Sequence, residues 1–388
     1  MTKRGTGGPE STFSTFSTFS TFSTFSTFGG GGAIENPLLA AALMTNRDGI
    51  AGAQLPIVEG IKPNPANSTK NLPRLSPEVR AAIFDSELGT RVAFTTSSND
   101  DTPSVNVWSA AIIEAEEPES DFDPLVSVSA PTIDQLRAQM ALVSSYADIR
   151  PDRAEEILVQ MPAIAPFYAS LEFMDPARTP HTMELLAAAG RFSNYVVQRM
   201  KYALAIKRPI EFSPQVQPMI PTPTHGTLPS GHATEAFMVS RLMWELLLAS
   251  NNSTYTAGSG EWGQILMRLA SRIAINRTVA GVHFPVDSAA GAVLGLSLAQ
   301  FVRTLCLGER KYTSATFTGP NFNENADFDW TQLYTVEGDK QAKHSSNLPN
   351  GEDYATSSSA KIPSGAVTSE PLNWLWLKAV NEWVDLTN

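Results

Sequence analysis

The stretch that decides the fold runs from Arg277 to Asp287 and reads Arg-Thr-Val-Ala-Gly-Val-His-Phe-Pro-Val-Asp. The six-residue step from Arg277 to His283 does not place both on one helical face, and Gly281 allows the chain to turn between them. We therefore expect Arg277 at the end of one helix and His283 just before the start of the next, with Pro285 in the first turn of that second helix. Asp287 is then placed to hold the imidazole of His283 through its other nitrogen.

Two upstream segments carry groups that suit an anion. Lys201 and Arg208 are seven residues apart, so on a helix ending at Pro209 both cations would project from one face. Two like charges on one face repel each other unless an anion lies between them. Ser230 follows Pro229 and falls at the N-cap of a predicted helix, where free backbone N–H groups and the helix dipole favour an oxyanion.

The tetrad Pro229-Ser230-Gly231-His232 adds two further features. Gly231 has no Cβ, so its backbone can approach a ligand closely. His232 supplies a second imidazole beside the anion. Taken singly, His232 and His283 are more often buried, hydrogen-bonded histidines than catalysts, and Asp287 is as easily a local cap. Together the segments predict an oxyanion site with one spare imidazole.

The three segments resemble the signature of the vanadium-dependent haloperoxidases and the related acid phosphatases of the phosphatidic acid phosphatase type 2 (PAP2) superfamily. That signature is Lys, six residues, Arg-Pro; then Pro-Ser-Gly-His; then Arg, five residues, His, three residues, Asp. The resemblance covers about residues 195 to 305. The one departure is Asn276 before Arg277, where the phosphatases usually carry serine, and asparagine can also donate a hydrogen bond.

The resemblance implies a haloperoxidase, an oxidoreductase with vanadate as its cofactor. His283 would be the metal ligand, with Asp287 orienting it, and His232 would act as acid and base. The anion's oxygens would be held by cations and by donors at a helix N-terminus: Lys201, Arg208, Ser230, Gly231 and Arg277. Hydrogen peroxide would oxidise the halide, and a small organic acceptor would receive the halogen.

His225 bears on the choice of halide. It lies seven residues before His232, where the bromoperoxidases resembled here have a second histidine. This favours bromide and iodide over chloride, although a hydrogen-bonded loop residue is an equally good interpretation of His225. Gln198 stands where the well-known haloperoxidases often have tryptophan, so the halide pocket is not defined by the resemblance.

Two other functions remain open at this point. The first is an acid phosphatase, in which His283 is the nucleophile and His232 protonates the leaving alcohol. The second is an assembly protein with a vestigial oxyanion pocket. Six copies of Ser-Thr-Phe at residues 11 to 28 and a tryptophan-rich C-terminus motivate it.

Composition limits the remaining classes. The 388 residues carry a net charge of -11 without a basic stripe, so no nucleic-acid partner is expected. Cys306 is the only cysteine, which excludes an intrachain disulfide and thiolate metal clusters. No run of eighteen apolar, uncharged residues and no apolar signal core is present, so the sequence predicts a soluble protein without a membrane span. The resemblance is compatible with a homo-oligomer.

The predicted fold is all-α, with two helical bundles and long loops. Residues 1–33 form a low-complexity extension, 34–180 an N-terminal helical bundle, 181–307 the catalytic bundle with the oxyanion site, and 308–388 a loop-rich region with a closing helix. Val105 to Ala115 is ambiguous between helix and strand. The catalytic bundle is predicted to contain four helices: Met183 to Lys207, Ser230 to Ser250, Glu261 to Asn276 and Pro285 to Cys306.

Overall fold

The structure is a computed structural model that describes residues 37–52, 59–97, 102–113, 119–257, 260–341, 345–346, 351–363 and 366–384. The predicted extension of residues 1–33, with its Ser-Thr-Phe repeat, lies outside the described residues.

The described residues contain twelve α-helices. Those before the predicted catalytic bundle are α1 (Pro37–Ile50), α2 (Pro77–Gly89), α3 (Ile133–Ser145), α4 (Arg150–Gln160) and α5 (Ala165–Glu172). The others are α6 (Pro180–Leu204), α7 (Pro209–Phe212), α8 (Gly231–Ser250), α9 (Ser253–Thr256), α10 (Glu261–Val279), α11 (Pro285–Leu307) and α12 (Glu370–Asn381).

The structure also contains two β-sheets, so the prediction of an all-α fold was wrong. The strands are β1 (Val92–Ser97), β2 (Ser104–Ile113), β3 (Glu119–Ser129), β4 (Lys311–Thr318), β5 (Tyr334–Thr335), β6 (Lys340–Gln341), β7 (Ser345–Ser346) and β8 (Asp353–Lys361). Six of them form one sheet in the order β1-β2-β3-β4-β8-β7, and β5 pairs with β6. The larger sheet is antiparallel except where β3 runs parallel to β4.

Two features of the strands explain the error. Along β2 buried and half-buried residues alternate, but hydrophobic Ala110, Ala111 and Ile112 follow one another and blur the period of two. Strand β8 reads Asp-Tyr-Ala-Thr-Ser-Ser-Ser-Ala-Lys, a polar composition that resembles a loop. Strand β8 also gains stability from pairing with β4, which lies far back along the chain and which local sequence does not show. The parallel β3–β4 pair, with Val126 opposite Ala315, joins the predicted N-terminal bundle to the C-terminal region.

The four helices predicted for the catalytic bundle are confirmed as α6, α8, α10 and α11, with small shifts at their ends. Among the described residues α11 alone is long and apolar enough to cross a membrane, and 83% of its most apolar stretch is buried inside the structure. The central helix of a packed bundle is equally apolar, because it is buried against other helices on all sides.

Helices α8 and α11 approach each other through glycines of α11. A Cβ on Gly295 would lie 2.2 Å from the carbonyl oxygen of Thr234, and one on Gly291 would lie 2.7 Å from that of Ser230. The backbones are therefore in direct contact. At the same end the backbone N–H of Ser230 donates to the carbonyl oxygen of Asp287 at 3.0 Å. This contact fixes the start of α8 against the start of α11.

The tryptophans of the C-terminus belong mainly to the core. Trp376 in α12 and Trp383 just after it are fully buried, whereas Trp374 is half-buried. The indole N–H of Trp383 donates to Thr182 at 2.9 Å, and its carbonyl oxygen accepts from Asn252 at 2.9 Å. The closing helix thus covers the outer ends of α6 and α8.

Gly295→Ala is expected to lower the free energy of unfolding by about 1–3 kcal/mol, because the added methyl group must push α8 away from α11. Gly89→Ala is the matched control, since a Cβ there meets nothing within 4 Å. Urea unfolding followed by circular dichroism measures both. Equal stability of the two variants would contradict backbone contact between α8 and α11.

Candidate oxyanion site

A pocket of about 650 Å³, its open mouth included, lies among α6, α8, α10 and the loops that precede α7, α8 and α11. Seven of the nine residues predicted for the site line it: Lys201, Arg208, His225, Gly231, His232, Arg277 and His283. The other two, Ser230 and Asp287, are fully buried next to lining residues. The structure therefore brings the three sequence segments together at one place.

Lys201 and Arg208 reach the pocket from different elements, so their predicted position on one helical face was wrong. Helix α6 ends at Leu204, Ala205 takes the left-handed conformation with φ 50°, and Arg208 is the N-cap residue of α7. The Lys201 ammonium donates to the carbonyl oxygens of Gly226 and Thr227, both at 2.9 Å. Burial, followed by the charge of Arg208, lowers the pKa of Lys201 well below its usual value.

The Arg208 guanidinium is held by backbone oxygens. Its Nε donates to the carbonyl of His225 at 3.0 Å, and Nη1 donates to the carbonyl of Val282 at 2.8 Å. Its backbone N–H donates to the Glu211 carboxylate at 2.8 Å. Burial lowers the pKa of Arg208 to about 10, and the charge remains in place at neutral pH.

Arg277 is the least satisfied cation of the pocket. It lies in the last turn of α10, as predicted, and is 1% exposed. Nη2 donates to the side-chain oxygen of Gln160 at 3.1 Å and to the carbonyl of Ile157 at 3.4 Å. Nε and Nη1 have no partner within the described part of the chain. Burial lowers the pKa of Arg277 to about 9. Unsatisfied N–H groups on a buried cation are what an oxyanion would satisfy.

His283 is fixed by Asp287, as the sequence predicted. Its Nδ1 lies 3.0 Å from Asp287 Oδ2 and 3.0 Å from the hydroxyl of Thr227. The Thr227 hydroxyl and the backbone N–H of Phe284 also donate to Asp287 Oδ2, at 2.5 and 2.9 Å. A proton on Nδ1 leaves a lone pair on Nε2, which lies 3.5 Å from Arg208 Nη1.

The charges around His283 and Asp287 set their protonation. Burial, then Arg208 and Lys201, lower the pKa of His283 well below its usual value, so this imidazole is neutral at pH 7. Burial raises the pKa of Asp287 to about 6, against the opposing effect of its hydrogen bonds. An ionised Asp287 beside neutral His283 is the arrangement that directs the free lone pair of His283 to Nε2.

His232 and His225 have different neighbours in the pocket. His232 Nε2 lies 3.0 Å from the carbonyl oxygen of Gln160, and burial, then Arg277, lower the pKa of His232 to about 3. His225 Nδ1 lies 3.1 Å from Arg208 Nη2, whereas its Nε2 is buried and has no partner among the residues described. Burial lowers the pKa of His225 to about 4.

Ser230 is the N-cap of α8, as predicted, and its hydroxyl accepts from the backbone N–H of Ala233 at 3.4 Å. A Cβ on Gly231 would meet only Val197, at 3.8 Å, so protein packing does not require glycine there. The first turn of α8 therefore presents Gly231 to the pocket at the positive end of the helix dipole.

Sequence reasoning missed Thr227 and Gln160. Thr227 bonds both His283 and Asp287, and Gln160 bonds both His232 and Arg277. Neither belongs to a recognisable motif, and both lie outside the spacing pattern of the cations. Only the three-dimensional arrangement shows their contacts.

The fold and the pocket define a helical domain built around a pocket with three buried cationic side chains. The sequence pattern of the PAP2 superfamily matches residues 182–310, which include all nine predicted site residues. Residues 182–310 are therefore a PAP2 superfamily domain. Members of this superfamily are typically enzymes, either phosphatases or haloperoxidases, and the match does not separate the two.

One solved structure similar to this chain is that of a transmembrane PAP2-type phosphatidylglycerolphosphate phosphatase from Bacillus subtilis. The sequences are 20% identical, the match covers 46% of this chain and 88% of that chain, and the TM-score is 0.38. No curated protein matches the chain.

Arg277→Met is expected to raise the free energy of unfolding of the ligand-free protein by about 1 kcal/mol, because it removes buried donors that lack partners. Sulfate is expected to raise the melting temperature of the wild-type protein, and the same change should reduce that rise to the general effect that sulfate has on proteins without an anion site. Arg208→Met is the contrasting variant. It should lower stability by about 2–3 kcal/mol, because several backbone oxygens lose a charged donor. Thermal unfolding with and without sulfate measures both effects.

Destabilisation by Arg277→Met, or undiminished stabilisation by sulfate, would contradict the assignment of Arg277 as the free anion-binding cation. Sulfate suits the test because it stays a dianion over the working pH range, so any pH dependence comes from the protein.

Proposed function

We propose that the PAP2 domain hydrolyses phosphate monoesters, with His283 as the nucleophile. The observation that carries the proposal is the contact of His283 Nδ1 with Asp287 at 3.0 Å, which leaves Nε2 as the unprotonated nitrogen of a neutral imidazole in a cationic pocket. A nucleophilic histidine needs this combination of a fixed ring and an available lone pair.

Substrate binding follows from the charges of the pocket. Lys201, Arg208 and Arg277 are all nearly inaccessible to solvent, so their charges are poorly screened by water. A phosphate dianion between them would satisfy the free N–H groups of Arg277 and accept from the N-terminal turn of α8. The phosphorus atom would then lie opposite His283 Nε2.

The reaction takes place in two displacements. His283 Nε2 donates its lone pair to phosphorus, the P–O bond of the ester breaks, and the electron pair of that bond goes to the alcohol oxygen. His232 gives this oxygen a proton, and the alcohol leaves. Water then attacks the phosphohistidine and gives a proton to His232. The P–N bond breaks, which returns neutral His283 and orthophosphate.

His232 becomes an acid only after substrate has bound. Without an anion its pKa lies at about 3, because burial and the charge of Arg277 disfavour the protonated ring. A dianion between His232 and the cations opposes both effects and raises that pKa. We therefore expect activity on alkyl phosphates to fall as the pH rises through the pKa of His232 in the complex.

His283→Ala should reduce phosphatase activity to background with every ester. His232→Asn should reduce turnover of an alkyl phosphate by about 10²–10⁴-fold, but turnover of p-nitrophenyl phosphate much less, because p-nitrophenolate leaves without a proton. The variant should also lose the alkaline limb of the alkyl-phosphate pH profile. Steady-state release of orthophosphate measures all three expectations.

His181→Ala is the matched control, since His181 is bonded to Glu382 and does not line the pocket. It should retain wild-type turnover. Hydrolysis that survives His283→Ala, or a wild-type protein that hydrolyses no phosphate monoester, would contradict the proposal.

A second candidate function is a vanadate-dependent haloperoxidase, and His225 favours it. The donor set of the pocket fits vanadate as a tetrahedral oxyanion: Lys201, Arg208, Arg277 and the first turn of α8 around it, with His283 Nε2 as the metal ligand. When bound, vanadate would supply a Lewis-acid centre for the oxidation of halide by hydrogen peroxide. The described residues contain no cluster of three or more His, Cys, Asp and Glu that could hold a metal cation.

His225 would act beside such an anion. Its unpartnered Nε2 lies in the pocket wall, and with a pKa of about 4 the ring is neutral at neutral pH. In that role it would contact hydrogen peroxide or His232 and tune the proton affinity of the site. We retain bromide and iodide as the preferred halides, with a small organic molecule as the halogen acceptor.

Protein incubated with orthovanadate is expected, under this second function, to brominate a phenol dye when bromide and hydrogen peroxide are added. His225→Phe should lower bromination but leave vanadate content unchanged, whereas His283→Ala should lose bound vanadium. Metal analysis and dye absorbance give the two readouts. If the vanadate-treated protein brominates the dye no faster than the vanadate-free protein, and if phosphate inhibits its ester hydrolysis, the haloperoxidase function is contradicted and only the phosphatase function stands.

A further inference from the structure

We propose that Gln160, which lies outside the segment matched to the PAP2 superfamily, is a positioning residue that sets both the charge available on Arg277 and the orientation of His232. The inference rests on the oxyanion site of the proposed function. The test measures sulfate binding and needs no turnover. The inference can therefore fail while the phosphatase proposal stands, and the phosphatase proposal can fail while the inference stands.

Gln160 is the last residue of α4 and is fully buried. Its side-chain oxygen accepts from Arg277 Nη2 at 3.1 Å and from the Asn276 amide at 2.9 Å. Its backbone carbonyl oxygen lies 3.0 Å from His232 Nε2. One residue thus contacts both Arg277 and His232.

Helix α4 is held firmly against α10, so Gln160 has a defined position. Arg272 on α10 forms an ion pair with Glu156 on α4 at 2.5 Å. Arg153 Nη1 donates to the Asn276 side chain at 3.2 Å, and Arg150 Nε donates to the carbonyl of Val279 at 2.9 Å. The contacts span the whole of α4, and Gln160 at its end is placed by them.

The amide of Gln160 holds Arg277 without neutralising it. A neutral oxygen fixes Nη2, and the charge of the guanidinium remains available to an anion in the pocket. A carboxylate at the same place would form a buried ion pair with Arg277 and compete with the oxyanion. The choice of glutamine over glutamate therefore determines the anion affinity of the site.

The carbonyl of Gln160 also selects the working nitrogen of His232. An oxygen at 3.0 Å from Nε2 accepts a proton from that nitrogen, so Nε2 is the protonated atom of the neutral ring. Nδ1 is then the nitrogen that gains and loses the transferred proton. The end of α4 has the same orienting effect on His232 that Asp287 has on His283.

Gln160→Glu should weaken sulfate binding by at least about tenfold near pH 8. The ratio of variant to wild-type dissociation constant should shrink towards one only as the pH falls below about 4, because the new carboxyl must be protonated before it releases Arg277, and the charge of Arg277 opposes that protonation. Isothermal titration calorimetry of the full chain with sulfate measures both. A wild-type affinity near pH 8, or a loss of affinity that is the same near pH 8 and below about pH 4, would overturn the inference.

Two further variants separate this effect from general disturbance. Gln300→Glu changes the net charge by the same amount, but at a residue that does not line the pocket. The side-chain oxygen of Gln300 accepts from the backbone N–H of Thr313 at 2.9 Å. This variant should bind sulfate like the wild type. Gln160→Met removes the oxygen without adding charge and should weaken sulfate binding by about threefold with no dependence on pH. Equal losses in the Glu and Met variants at every pH would show a merely structural residue and overturn the inference.

Discussion

The burial of three cationic side chains around one small volume is the constraint on which the rest of the structure depends. Removing a charge from water costs several kcal/mol unless hydrogen bonds or an opposite charge compensate. Backbone oxygens accept hydrogen bonds from Lys201 and Arg208, and these oxygens come from the loop that precedes α8 and the loop that precedes α11. Arg277 is compensated only at Nη2. The donors of Arg277 that lack a partner attract an anion, and the fold creates this attraction before any ligand binds.

The close packing of α8 on α11 turns that attraction into a defined geometry. His232 stands at the start of α8, and His283 with Asp287 stands at the start of α11, so the distance between the two imidazoles depends on how the helices meet. Backbone contact at Gly291 and Gly295 leaves no freedom for one helix to slide along the other. Polar contacts alone would not do this, because side chains can change rotamer whereas touching backbones cannot.

The sequence predicted which side chains meet at the pocket better than it predicted the fold. Arg277, His283 and Asp287 lie within eleven residues, so local geometry governs most of their relation, and the N-cap at Ser230 is equally local. The sheet was missed because β4 and β8 depend on pairing with strands far along the chain. Lys201 and Arg208 were assigned to one helix because nothing in the sequence shows that Ala205 leaves the helical conformation. Thr227 and Gln160 could not be found from sequence, since their roles come only from contact with distant residues.

Under the proposed phosphatase chemistry the two histidines need opposite protonation states in one positive environment. The cations keep His283 neutral, as a nucleophile must be, and Asp287 fixes its ring without supplying enough negative charge to protonate it. The same cations would also keep His232 neutral, which an acid must not be. A phosphate dianion resolves the conflict, because it lies between His232 and the cations and reverses the local potential there. His283 points at phosphorus rather than at its charged oxygens and gains less from that reversal. The charge of the substrate is then what makes His232 an acid, and a neutral molecule in the same pocket would leave it inactive.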